Sequence, residues 1–240
     1  FEYIDKNGIS DSWKYSRIKL KIDYKSREKE LIKLLEKHRG KYGEYDCIVP
    51  GSGGKDSCYA SHILKYKYGM NPLTVTWPPI LYTDYGYQNY KNWLNYGKHP
   101  NIKAKRSEHV MRFLTQKSIL NLMHPFQTFM LGQKIFATKV ALKYKIPLVF
   151  FGENEAEHGN ALADNLSSLR KKSYFTNKNI DNVYLGGIKY SELINDHNLK
   201  HKDLEPFMPP DENEINNQNI EVHYLGYYLK WVPQECFYYA

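Results

Sequence analysis

The seven residues Gly51-Ser52-Gly53-Gly54-Lys55-Asp56-Ser57 combine three glycines, two hydroxyls, an ammonium and a carboxylate in one run. Glycine reaches φ > 0 without a Cβ clash and lets main-chain N–H groups approach a ligand closely. Successive N–H groups in such a bend form a nest for an anion. A helix starting directly after it adds the partial positive charge of its N-terminus. Ser52 and Ser57 can donate hydroxyl hydrogen bonds to phosphate oxygens. Lys55 adds a point charge. Asp56 would repel phosphate unless a cation lies between them, which makes Mg²⁺ its natural companion. Asp56 and Lys55 are therefore the candidate catalytic residues, with Asp56 the candidate magnesium ligand.

The loop departs from two common phosphate-binding patterns. G-x-x-x-x-G-K-[ST] requires Ser or Thr after the lysine, but Asp56 follows Lys55, and Val49 occupies the first glycine position. G-x-G-x-x-G is also absent. The string S-G-G-K-D-S matches the PP-loop signature S-G-G-x-D-S at every fixed position. The remaining alternative for these residues is a glycine- and serine-rich turn with no ligand.

Two further clusters are expected at the same edge of the fold. Thr76-Trp77 closes a predicted strand, where backbone groups can hold adenine and Trp77 can stack on it; plain core packing is the alternative. Gly152-Glu153-Asn154-Glu155-Ala156-Glu157-His158-Gly159-Asn160 leaves another predicted strand. It supplies carboxylates, amides and an imidazole suited to a polyhydroxylated substrate or Mg²⁺. Gly152 and Glu153 are assigned to the nucleotide, and Asn154, Glu155, His158 and Asn160 to the substrate. Gln127, in the polar knot His124-Pro125-Phe126-Gln127 with Gln133, is a further substrate candidate.

These residues require strands and helices in alternation. Asp46–Pro50, Leu73–Trp77 and Pro147–Gly152 are short apolar runs ending in Pro, Trp or Gly, as buried parallel strands do. Helices are expected at about 26–39, 57–68, 84–96, 110–123 and 132–145, the last with Phe136, Val140 and Tyr144 spaced four apart. The pattern predicts an α/β fold: a doubly wound parallel sheet with helices on both faces. Residues 1–22 show no period and read as irregular. Residues 181–219 are rich in Asn, Asp, Lys and Pro and read as loops with short helices, and 224–233 as an aromatic stretch packing back. The expected division is 1–40 as an N-terminal segment and helix, 41–165 as the nucleotide-binding domain, and 166–240 as a loop-rich, substrate-facing region.

Composition bounds the class. With 42% hydrophobic and 25% charged residues, a packed core is feasible. No run approaches the roughly 18 apolar residues of a membrane span, and no signal-peptide h-region is visible, so the expected location is cytoplasmic. Cys47, Cys58 and Cys236 are far apart, which argues against a zinc knuckle or a disulfide framework and favours free thiols. The net charge of +8 favours anionic partners without choosing among them. The chain opens on Phe1 and closes on Ala240, and the gene product is expected to extend beyond one or both ends.

On these residues the chain resembles the N-acetyl sugar amidotransferases. They are PP-loop ATPases of bacterial lipopolysaccharide and flagellin-sugar biosynthesis, pseudaminic acid among the products. The likeness runs through Tyr45–Pro50 with the loop, Lys67–Leu73, Thr74–Trp77, His124–Gln127, Gly152–Gly159 and His223–Tyr228. The loop alone marks the superfamily, whose fold is that of the adenine nucleotide α-hydrolases; the later segments point to the family. The resemblance implies that ATP adenylates the oxygen of an N-acetyl group and that ammonia displaces it, leaving an acetamidino group. It further implies an ammonia-supplying glutaminase and a cyclase-like channel partner, with no role for nucleic acid. One departure stands out. Family members carry cysteine pairs near the N-terminus, whereas here Ser10 and Ser12 fall where the second pair belongs, so zinc is not expected. The competing expectation is a PP-loop enzyme that modifies tRNA by thiolation or lysidine formation. The charge suits it, but no C-x-x-C pair supports thiolation.

Overall fold

The computed structural model describes residues 4–152, 162, 166–177 and 179–240. Five strands form one sheet: β1 Cys47–Pro50, β2 Pro72–Thr76, β3 Asn101–Lys103, β4 Leu148–Phe151 and, near the C-terminus, Glu221–Tyr224. Their spatial order is β3-β2-β1-β4 and then Glu221–Tyr224, with every pairing parallel. Because side chains alternate along a strand, each central strand feeds two cores. Cys47 and Val49 of β1 and Leu148 and Phe150 of β4 pack against helix α2 (Tyr24–His38), through Leu31 and Leu35, and against α3 (Lys55–His62). Ile48, Val149 and Val222 point to the other face, onto Ala137, Val140 and Ala141 of α6 (Gln127–Tyr144). Helices thus cover both faces of a parallel sheet, which is the predicted doubly wound class.

The structure departs from the sequence reading at several elements. Within residues 1–22, Asp11–Lys19 is helical (α1) rather than irregular. No apolar stripe announces this helix. It rests on its end, where the Ser10 hydroxyl accepts from the Trp13 N–H and Asp11 stands in the first turn. The α2 cap is Asp23 rather than Ser26, and it accepts from the N–H groups of Lys25 and Ser26. Helix α4 (Asp84–Gly97) and α5 (Glu108–Leu122) fall close to the expected positions, but α6 begins five residues early and takes in Gly132. A Cβ on Gly132 would lie 2.0 Å from the Trp77 ring, so the glycine lets the helix ride directly over the indole.

Beyond β4 the chain is less regular. A two-stranded hairpin, β5 Tyr184–Leu185 and β6 Ile188–Lys189, precedes short helices α7 (Tyr190–Asn195), α8 (His201–Leu204) and α9 (Glu212–Asn217). Together with Trp77 and α5, the hairpin, α7 and α8 enclose a satellite core around Leu114, Leu185, Leu193 and Phe207, whereas Ile215 of α9 joins the core on the α6 face of the sheet. The fifth sheet strand, β7, follows. Its pattern of Glu221, Val222, His223 and Tyr224 mixes polar and apolar types, as an edge strand allows, and gives no continuous hydrophobic signal. The aromatic stretch after β7 contains α10 (Leu225–Tyr228) and leads to α11 (Pro233–Tyr239). It places Tyr228 and the fully buried Trp231 in the core beside α3.

Candidate functional site

The site begins where β1 ends. Gly51 still pairs with the sheet, its N–H donating to Val75 O at 2.9 Å. The chain then bends sharply at Gly53, whose φ is +87°. A Cβ there would lie 2.6 Å from the main chain of Tyr90, so Gly53 seats the bend against α4. A Cβ on Gly54 would meet nothing within 4 Å. Gly54 is the N-cap of α3 and offers no side-chain cap. The first main-chain bond of the helix is Cys58 N–H to Gly54 O at 3.0 Å. The main-chain N–H groups of Ser52, Gly53, Gly54, Asp56 and Ser57 meet no acceptor among the described residues. A helix start that leaves its donors open is suited to an anion.

All of these residues except Gly53 line a cavity of about 640 Å³ at the carboxyl edge of the sheet. Ser52, Gly54, Asp56 and Ser57 line one side, and Met130, Gln133, Lys134 and Ala137 of α6 line the other. The α6 residues recur at helical spacing, so one helix face forms a wall. Phe151, Gly152, Arg170, Tyr174 and Tyr224 complete it. Open α/β sheets bind ligands in this position.

Charge around the cavity is mixed. Asp56 is held on both oxygens: Lys55 Nζ lies 2.5 Å from Oδ2, and the Trp231 indole N–H donates to Oδ1 at 3.1 Å. Lys134 makes no ion pair among the described residues, and its ammonium sits 5.6 Å from the centre of the Tyr174 ring. Arg170 is buried to 7% exposure, with its guanidinium 4.9 Å from the Phe151 ring and 5.5 Å from that of Tyr174. Aromatic faces of this kind retain a cation by their quadrupole. Two cations thus line a cavity whose floor carries open N–H groups and one neutralised carboxylate.

The predicted residues divide as follows. Ser52, Gly54, Asp56, Ser57, Trp77 and Gly152 line the cavity, whereas Gly53 and Lys55 are not among its lining residues. Thr76 is fully buried, and its hydroxyl accepts from the Asn101 amide at 3.0 Å; it does not line the cavity. Trp77 lines the cavity but is mostly core: it is 6% exposed, with the Phe207 ring edge-on at 5.4 Å and Phe136 at 5.9 Å. Its buried Nε1 has no partner among the described residues. Gln127 is not among the lining residues. Its amide grips the β5–β6 hairpin instead, donating to Tyr184 O at 2.8 Å and accepting from Gly186 N at 2.9 Å. Glu153, Asn154, Glu155, His158 and Asn160 lie outside the described residues. Sequence reasoning missed Lys134, Arg170, Tyr174, Tyr224 and Trp231. The stripe at 130, 133, 134 and 137 was open to a helical-spacing argument; for Arg170 and Trp231 no local signal exists.

The Cys47 and Cys58 thiols are unsuited to nucleophilic chemistry. Burial pushes Cys58 up to about 11, and complete burial raises Cys47 further. Thiolate, the reactive form, is therefore scarce at neutral pH. A triphosphate fits the site: unbonded amides, the open side of Gly54 and the cations Lys134 and Arg170 suit its charge. Magnesium fits in part. One carboxylate together with phosphate oxygens is a donor set it commonly takes. Among the described residues, no group of three or more His, Cys, Asp or Glu could hold a metal without such help.

No family model matches the chain. Among curated proteins, 58 residues are 38% identical to an uncharacterized protein of Methanocaldococcus jannaschii, covering 24% of this chain and 21% of that one. The chain thus spans about a fifth of that relative's length. Three solved structures are similar at a distance. An NH3-dependent NAD synthetase from Campylobacter jejuni, in complex with the nitrate ion, is 12% identical with a TM-score of 0.41, over 61% of this chain and 65% of that one. An NMN synthetase from Francisella tularensis is 17% identical with a TM-score of 0.43, over 82% and 93%. An NAD+ synthetase from Burkholderia pseudomallei is 11% identical with a TM-score of 0.37, over 94% and 95%.

Proposed function

We propose that this chain is an ATP-dependent enzyme of the PP-loop kind that forms a carbon–nitrogen bond, converting the N-acetyl group of a bacterial surface sugar to an acetamidino group. The observation that carries the nucleotide part is the set of main-chain amides of Ser52, Gly54, Asp56 and Ser57 that meet no acceptor among the described residues, in a loop lining a cavity at the carboxyl edge of a parallel sheet. The sugar part rests on the resemblance of the sequence segments at 45–50, 67–77, 124–127, 152–159 and 223–228.

The chemistry follows from leaving-group ability. An amide oxygen is a poor leaving group. When that oxygen attacks the α-phosphorus of ATP, pyrophosphate departs and the oxygen becomes part of an adenylate. Ammonia then adds to the imidate carbon, AMP leaves with the oxygen, and a proton is lost to give the amidine. In this reading the loop amides hold the phosphates and Lys134 and Arg170 balance the charge of the tail. Asp56 would hold Mg²⁺, which would neutralise phosphate charge. The donors stand in place before charge develops, the general source of electrostatic catalysis. Free ammonia is scarce at neutral pH, so a glutaminase partner is expected, with a cyclase-like subunit to channel it.

The test is mass spectrometry of N-acetyl sugars and sugar nucleotides after incubation with ATP, Mg²⁺ and ammonium. The expected product has oxygen exchanged for NH, formed together with AMP and pyrophosphate. Bulk tRNA forms the second arm, because the net charge of +8 suits it. Turnover with tRNA and none with sugars would replace this reading with RNA modification. ATP binding without turnover on either acceptor would leave only a nucleotide-binding protein.

A further inference from the structure

The carboxylate expected to meet a cation is held from outside its own loop as well as from within it. Asp56 lies in the first turn of α3, yet its Oδ1 is fixed by the indole of Trp231, 175 residues further along the chain. Trp231 is 1% exposed and is itself held from several directions. Its carbonyl accepts from Lys19 Nζ of α1 at 2.7 Å. The Tyr59 ring stands edge-on to it at 5.1 Å. A Cβ on Gly152, at the end of β4, would lie 3.0 Å from its six-membered ring. A Trp N–H can donate and cannot accept. It therefore serves one rotamer of the carboxylate and leaves Oδ2 as the oxygen that meets a cation. In the structure that cation is the Lys55 ammonium, 2.5 Å away.

We propose that Trp231 is the positioning residue of the nucleotide site: its indole N–H orients Asp56 so that Oδ2 accepts the divalent cation that accompanies ATP. The proposal rests on the ATP reading above. A carboxylate turns readily about its last side-chain bond, and a metal of strict octahedral preference penalises that freedom. Groups that orient metal ligands change metal affinity about 10- to 100-fold when removed. The C-terminal stretch thereby becomes part of the site although it contributes no group to the phosphate loop.

The experiment uses the full chain and a non-hydrolysable ATP analogue, with binding measured by calorimetry across a Mg²⁺ series and in EDTA. For Trp231→Phe, the Mg²⁺ concentration giving half-maximal binding is expected to rise about tenfold. Binding in EDTA should stay within about twofold, and Trp231→Phe should add nothing in the Asp56→Asn background. Equal weakening with and without Mg²⁺, or an unmoved Mg²⁺ requirement, would overturn the proposal. Should Trp231→Phe fail to fold, nitrogen-15 spectra of the indole N–H groups decide. The resonance that shifts on Asp56→Asn must also shift when Mg²⁺ reaches nucleotide-saturated wild type; if no resonance does both, the proposal fails. A wild type that binds no nucleotide overturns the ATP reading and this one with it. A wild type that binds normally beside an unaffected Trp231→Phe overturns only the role of Trp231.

Discussion

Glycines at adjacent positions of the loop have different physical jobs. Gly53 combines φ +87° with a main chain 2.6 Å from where its Cβ would stand, whereas Gly54 has ordinary extended angles and empty space. Gly53→Ala is expected to lower stability by about 2–3 kcal/mol, from left-handed strain plus overpacking against Tyr90. Gly54→Ala should stay within about 0.5 kcal/mol of wild type in urea unfolding. Its methyl would instead project beside the open amides and weaken ATP binding measured by calorimetry. Asp56→Ala should abolish acceptor-dependent pyrophosphate release, a loss of about 100-fold or more, while the protein still unfolds cooperatively. Turnover unchanged in that variant would remove Asp56 from the mechanism.

Among the elements, α6 does two things at once. Its Ala137, Val140 and Ala141 pack on the sheet, and its residues 130, 133 and 134 form a wall of the cavity. At its N-terminus Gln127 ties the helix to the β5–β6 hairpin through two hydrogen bonds. Gln127→Ala is expected to cost about 1–2 kcal/mol of stability by loss of those bonds, with nucleotide binding unchanged. The opposite pattern, intact stability with lost sugar binding, would assign Gln127 to the substrate. Shape complementarity also fixes where α6 lies: Gly132→Ala would drive a methyl into the Trp77 ring. It should cost about 1–3 kcal/mol and alter tryptophan fluorescence.

For the molecule as a whole, buried histidines set the acid limit. His99 is 6% exposed and packs beside Trp93, with Lys65 and His62 as charged or titratable neighbours. Burial, followed by the charge of Lys65, depresses it to about 4. Burial also lowers His38 and His223, the latter against an upward pull from Glu221. The unfolded chain then binds protons that the folded chain refuses. Stability is fully present above the unfolded value of about 6.5 and falls as pH drops toward 4. Denaturant unfolding at pH 7 and pH 5 should show a loss of about 1–3 kcal/mol, and His99→Gln should remove part of that slope. A pH-independent midpoint over this range would refute the account.

The strand–turn–helix at 47–62, the parallel class of the sheet and the glycine bend between β1 and α3 are legible in the sequence, because these depend on short-range patterns. Apolar runs make buried strands, glycines make bends, and the order S-G-G-K-D-S carries its own chemistry. The sequence also indicated helices α2 to α6, whose apolar residues recur with local period. It gave no sign of α1, which rests on a cap rather than a stripe, or of the short edge strands β3 and β7, whose few polar and apolar residues carry no clear pattern. Long-range packing alone sets which side of Gly53 is packed and which side of Gly54 is open, and ties Gln127 to a hairpin. It alone brought Trp231 to Asp56 and Arg170 to the cavity. Contacts between residues more than a hundred positions apart are selected by how helices and loops pack on the sheet, and no local spacing encodes that packing.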